Sequence, residues 1–112
     1  MQDCLFCKIE RGVIPSEKVY EDENFFVIRD INPAYKIHLL IIPRKHVASV
    51  NDVSEVDDEI FASIFRVAKK VAGMMGVEEG GYRVLVNTGK DAGQIVFHFH
   101  MHFLAGEKLR EL

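Results

Sequence analysis

Residues 96–104, Val-Phe-His-Phe-His-Met-His-Phe-Leu, constrain this chain more than any other stretch. Apolar and imidazole side chains alternate along it, and in a strand alternate side chains point to opposite faces. Phe97, Phe99, Met101 and Phe103 then share one face, and His98, His100 and His102 share the other. The aromatic face reads as core by its patterning. The other face is a row of imidazoles with Cα atoms about 7 Å apart, a poor choice for a purely structural surface. Two chemistries use such a row. Histidines at i and i+2 can hold one catalytic zinc with a third ligand from elsewhere. Alternatively, an imidazole can attack phosphorus and form a covalent phospho-histidine. Spacing alone does not choose between them.

The remaining residues supply the sheet around that strand. Asp3 is expected to cap a short helical turn through Ile9 and Glu10, ended by Gly12. Strands are expected at residues 18–21 and 25–30, with Asp22-Glu23-Asn24 as the turn between them, and at 37–42, stopped by Pro43. Ser54 with Asp57 three residues later resembles a capping box and should open the main helix. Behind it Ile60, Phe61, Ile64, Phe65, Ala68, Val71, Ala72 and Met75 recur at three- and four-residue steps, and Gly76 is placed to cap the C-terminus. Strands at 82–87 and 96–104 complete the order. The fold class expected is α+β, one domain over residues 1–112: an antiparallel five-stranded sheet with one long helix and a short N-terminal helix.

Composition narrows the partners. With 112 residues the chain suits a single domain. Its 14 basic against 17 acidic residues, net charge −3, argue against a general nucleic-acid binder. A small anion can still be held by backbone dipoles. No run approaches the ~20 apolar residues of a membrane span, and the N-terminus lacks the basic-then-apolar pattern of a secretory signal. Cys4 and Cys7, three residues apart, fit reduced thiols and a cytoplasmic setting. Taken alone, this C-x-x-C pair is open between a redox dithiol, half of a zinc site and unliganded thiols. Between the last two strands, Gly89 and Gly93 could turn backbone N–H groups inward as an anion nest, though plain turn chemistry explains two glycines equally well. Directly before the aligned histidines, the loop reads as a phosphate cradle beside a nucleophile.

His98-Phe99-His100-Met101-His102-Phe103-Leu104, preceded by Gly93-Gln94, resembles the H-x-H-x-H signature of the histidine triad family. Asp30-Ile31-Asn32-Pro33, the stretch from His38 to His46, and Tyr82 to Asn87 resemble other family segments in the same order, so the likeness runs from Cys4 to Leu104. It looks closest to the small nucleotide-binding branch. The resemblance implies that His100 attacks the α-phosphorus and becomes nucleotidylated, that His38 hydrogen-bonds and orients it, and that His102 contacts the phosphate oxygens. It places Asn87, Gln94 and the backbone around Gly93, Ile95 and Val96 at the phosphate. Asp30 would bind the ribose hydroxyls, and Phe6, Ile28 and Ile31 would line the base pocket. It assigns Cys4, Cys7, His46 and His98 to a structural zinc, which leaves His100 and His102 for the phosphate. A purine nucleotide or its conjugate is the implied ligand, and a homodimer built by the long helix and an edge strand is the implied assembly.

The activity implied is hydrolysis or transfer at the α-phosphorus of nucleoside phosphoramidates in two covalent steps, with release of a nucleoside monophosphate. Its rivals are a dinucleoside polyphosphate hydrolase using the same site, a nucleotide-binding adaptor with vestigial activity, and a zinc hydrolase using the three histidines directly. One departure bears on the leaving group: Ile95 stands where many relatives carry serine or threonine.

Overall fold

Antiparallel pairing of five strands, in the order β1-β2-β3-β5-β4, organises the chain. These are β1 (Lys18–Glu21), β2 (Phe25–Arg29), β3 (Ile37–Pro43), β4 (Arg83–Leu85) and β5 (Met101–Ala105). The computed structural model describes residues 3–112. Among them no helix is long and apolar enough to cross a membrane. The first hairpin closes as its sequence suggests: Asp22 Oδ1 accepts the N–H groups of Asn24 and Phe25, both at 2.8 Å.

β3 lies at the centre and is covered on both faces, which is why it reads as a nearly continuous apolar run. On one face Leu39 and Ile41 join Phe25, Val27, Met101 and Phe103 under the longest helix, α3 (Ile64–Met75). On the other, Leu40 and Ile42 join Phe26 and Ile28 under Phe6 and Ile9 of the first helix, α1 (Leu5–Glu10). The period of two puts His38 on the α1 face with Leu40. The pairing of Leu40 with His102, and of His38 with Leu104, then makes His38 and His102 diagonal neighbours.

The architecture is the α+β arrangement expected, with four local differences. First, Cys4 rather than Asp3 caps α1, its sulfur accepting the Cys7 N–H at 3.4 Å. Second, the long helix is interrupted. Ser54 N–H donates to Asp57 Oδ2 at 3.0 Å as a capping box requires, and a 3-10 turn over Glu55–Asp57 leads into α2 (Asp58–Phe61). Ser63 Oγ then donates to the Ile60 carbonyl at 2.9 Å and tightens the backbone before α3 begins. Of the expected stripe, Ile64, Ala68, Val71 and Ala72 are buried, but Phe65 is 66% exposed. Gly76, at φ +71, caps the end of α3.

Third, the last two strands are shorter than expected. β4 spans three residues, and β5 starts at Met101 because residues 96–98 bend away from the ladder. There Phe99 N–H bonds the Val47 carbonyl at 2.6 Å instead of a strand partner. Fourth, the alternation consequently fails at Phe97, which is 53% exposed, while Phe99, Met101 and Phe103 are core as expected.

Candidate active site and metal centre

The bend before β5 separates the histidines into different jobs. His98 turns toward the N-terminus, where α1 has brought Cys4 and Cys7, and meets His46 from the segment after β3. Donor atoms of these four residues all lie within 4.8 Å of one another. His98 Nδ1 stands 3.4 Å from Cys4 Sγ, 3.5 Å from Cys7 Sγ and 3.1 Å from His46 Nδ1, and Cys7 Sγ is 3.3 Å from His46 Nδ1. Ordinary zinc bond lengths in a tetrahedron require N···N of about 3.3 Å and N···S of about 3.5 Å, so the cluster has the dimensions of a Cys₂His₂ site. The outer partner is in place too. His98 Nε2–H donates to the Pro43 carbonyl at 2.7 Å, which leaves its Nδ1 lone pair facing the cluster. Burial, with His46 and His100 alongside, brings His98 down to about 4, so that lone pair is free at neutral pH. Burial, then the hydrogen bond and charge of Cys4, push the Cys7 thiol up to about 11. A metal binding there displaces a proton. With all four corners taken by protein, the site is structural in type.

His100 and His102 face the other way, and main-chain groups fix their protons. His100 Nδ1 lies 2.8 Å from the His98 carbonyl, so it is the N–H donor and Nε2 keeps the free lone pair. The Phe6 ring stands edge-on to His100 at 5.2 Å between centroids and limits its rotation. At His38, Ala34 N–H donates to Nδ1 at 3.0 Å, which puts the ring proton on Nε2. That proton is donated to His102 Nδ1 at 2.8 Å, and His102 therefore carries its own proton on Nε2. Asp30 Oδ2 lies 3.4 Å from His38 Nε2. Burial brings His102 down to about 4, with neighbouring His100 and His38 adding to this and Asp30 opposing it, so it is a neutral donor at pH 7.

This geometry corrects the expected role of His38. Its bond is to His102, and the group orienting His100 is the His98 carbonyl. It also removes the reading in which three histidines hold one catalytic zinc, because their nitrogens do not converge. Asp30, His38 and His102 form a second group of close donors. There the Ala34 N–H leaves His38 Nε2 protonated and without a lone pair for a metal.

A cavity of about 500 Å³ opens between α1, the ends of β2 and β5, and the loop before β5. Phe6, Ile28, Asp30, Ile31, Asn87, Gly93, Ile95, Val96, His100 and His102 all line it. Gln94 does not. It is buried, with its amide nitrogen donating to the carbonyls of Ala48 (2.8 Å) and Val96 (3.1 Å) and its Oε1 accepting the Gly89 N–H (2.9 Å). Gln94 braces the loop from behind. The anion nest is corrected with it, since Gly89 N–H is bonded to Gln94 and Gly93 N–H to the Lys90 carbonyl at 3.0 Å. The sequence reading missed Leu5, Ile9, Ile14, Pro15 and Leu40 on the cavity's apolar side. Nothing local in the sequence marks Ile14, Pro15 or Leu40 as facing a ligand.

Residues 11–109 match the family model described as "HIT domain". The chain is 42% identical over 108 residues to the purine nucleoside phosphoramidase of Escherichia coli (strain K12), covering 96% of this chain and 91% of that one. The structure of a HIT family hydrolase from Legionella pneumophila Philadelphia 1 is similar with a TM-score of 0.92 and 47% identity, over 96% of each chain. A Zn-bound histidine triad family protein from Mycobacterium smegmatis is similar with a TM-score of 0.80 and 36% identity, over 92% of this chain and 74% of that one. On its motifs, its fold and these likenesses, the chain belongs to the histidine triad, or HIT domain, family and is a hydrolase of that type.

Proposed function

We infer that this protein hydrolyses purine nucleoside phosphoramidates by way of a nucleotidyl-histidine on His100, releasing a nucleoside monophosphate. The observation that carries the reading is the pair of opposed tautomers in one cavity: a free lone pair on His100 Nε2 beside an N–H on His102 Nε2. The lone pair attacks the α-phosphorus, a P–Nε2 bond forms and the P–N bond to the amine breaks. The departing amine takes a proton from solvent, and the water that attacks in the second step returns one to solvent. Water then attacks the phosphorus, the P–Nε2 bond breaks, and His100 returns with its lone pair. His102 donates to the phosphoryl oxygens as charge grows on them. Asp30 holds the ribose, while Phe6, Ile28 and the apolar wall receive the base.

Cys4, Cys7, His46 and His98 hold zinc in this reading, and the bound ion supplies a cross-link between the N-terminus and the segment before β5. The identity to the E. coli phosphoramidase supports the substrate class. The expected location is the cytoplasm, and the expected assembly is a two-fold dimer. β4 leaves one edge of the sheet open and Phe65 stands in solvent on α3, both surfaces that a second copy would cover. Turnover of adenosine phosphoramidate by wild type, set beside His100→Asn, tests the activity. A folded His100→Asn protein that still turns over would sink the assignment of the nucleophile.

A further inference from the structure

The residues that follow β5 fold back over the loop between β2 and β3. Gly106 lies at φ +92, and a Cβ there would stand 3.1 Å from Ile37 Cγ1 and 3.2 Å from Lys36 Cβ, so the tail packs closely on the loop at this point. Beside it, Glu107 Oε2 accepts the N–H of Lys36 at 2.6 Å. Further on, the Arg110 guanidinium lies over the Tyr35 ring at 5.6 Å, and Arg110 N–H donates to the Tyr35 hydroxyl at 3.3 Å. Steric fit, a charge-assisted hydrogen bond and a cation–π contact thus bear on one short stretch of loop.

The same loop carries Ala34, whose N–H decides where the His38 proton sits and, through His38, where the His102 proton sits. If the loop swings out, Ala34 N–H leaves His38 Nδ1 and both tautomers of His38 open up. The Nδ1–H tautomer turns a lone pair toward His102 Nδ1, which draws the His102 proton away from the phosphate. The geometry points to Glu107 as a positioning residue: by tying down Lys36 it keeps the Ala34–His38–His102 relay in the tautomer that presents His102 Nε2–H to the phosphate. Glu107 does not line the cavity and acts only through the loop. The assignment rests on the active-site reading proposed above.

The test uses the zinc-loaded full chain as wild type, Glu107→Ala and Glu107→Gln. Both kcat and KM are measured with adenosine phosphoramidate, and imidazole ¹⁵N spectra are recorded without substrate. Glu107→Ala is expected to lower kcat about tenfold with KM held within about twofold, since a transition-state donor is weakened while the binding walls are intact. Its His38 and His102 ¹⁵N resonances are expected to move from single-tautomer to averaged positions. Glu107→Gln keeps an oxygen acceptor and is expected to restore both readouts. Wild-type ¹⁵N positions in Glu107→Ala, or equal losses in the two variants, would overturn the inference. Because the spectra need no substrate, a wild type inactive on phosphoramidate would sink the functional reading without masking the result for Glu107.

Discussion

The His98 carbonyl fixes the His100 proton on Nδ1, the Ala34 N–H excludes it from Nδ1 of His38, and the Pro43 carbonyl fixes it on Nε2 of His98. In the proposed mechanism, main-chain groups thereby turn one residue type into a nucleophile, a relay and a metal ligand. A consequence for pH follows at His102, held at about 4 against an ordinary value of 6.5. Between those values the unfolded chain binds more protons than the folded one. The stability from burying a neutral His102 is therefore complete above about 6.5 and is lost as pH falls toward about 4. His38, lowered mainly by burial, acts in the same direction. Thermal melts from pH 7 to 4 should show a steeper decline for wild type than for His102→Phe. Matching slopes would contradict the burial of a neutral ring. Ile95 is 87% exposed at the cavity rim, so Ile95→Ser should leave stability almost unchanged while altering the ranking of amine leaving groups. An unchanged ranking in kcat/KM would remove Ile95 from leaving-group selection.

Elements were legible in the sequence where a local signal matched the tertiary environment. The Asp22 turn, the Ser54–Asp57 cap and the Gly76 terminus each depend on residues within a few positions of one another. Gly76→Ala should cost about 1 kcal/mol, read from urea melts, because alanine is strained at φ +71. No loss would show that the helix end can shift. Alternation located the histidine face, but Phe97 was misread because the strand begins only at Met101. That boundary depends on distant partners, the Val47 carbonyl for Phe99 N–H and the Cys/His cluster for His98. Gln94 was misread for a related reason. The family resemblance implied a place for Gln94 at the phosphate, whereas three carbonyl and N–H groups, one of them on Ala48, claim its side chain. Taken alone the C-x-x-C turn is ambiguous, and the structure sets His46 and His98 against it as the family resemblance implies. Metal uptake there should release protons, because Cys7 lies at about 11 without metal. Zinc affinity is expected to fall with falling pH, and calorimetry in buffers of different ionisation enthalpy measures the protons released. Uptake without proton release would contradict thiolate ligation by Cys7.

The whole molecule joins two sites through one short segment. His98 carries a metal-type nitrogen on its ring and orients His100, the proposed nucleophile, through its carbonyl, while Phe6, between the two cysteines, packs edge-on against both His98 and His100. Removing zinc should therefore lower Tm more than it lowers the rate at low temperature, since the metal ties chain segments together and touches no reacting atom. A folded, zinc-free protein without activity would reverse that ordering. In sedimentation velocity, wild type should run as a dimer and Phe65→Glu should shift toward monomer; a monomeric wild type would count against the proposed assembly. The most direct test of the central claim is rapid-quench intact-mass analysis of wild type and His100→Asn mixed with adenosine phosphoramidate. The account predicts a transient adduct of one nucleoside monophosphate on wild type, mapped to His100, and none on a folded His100→Asn that does not turn over. Turnover in the variant, or an adduct on another residue, would contradict it.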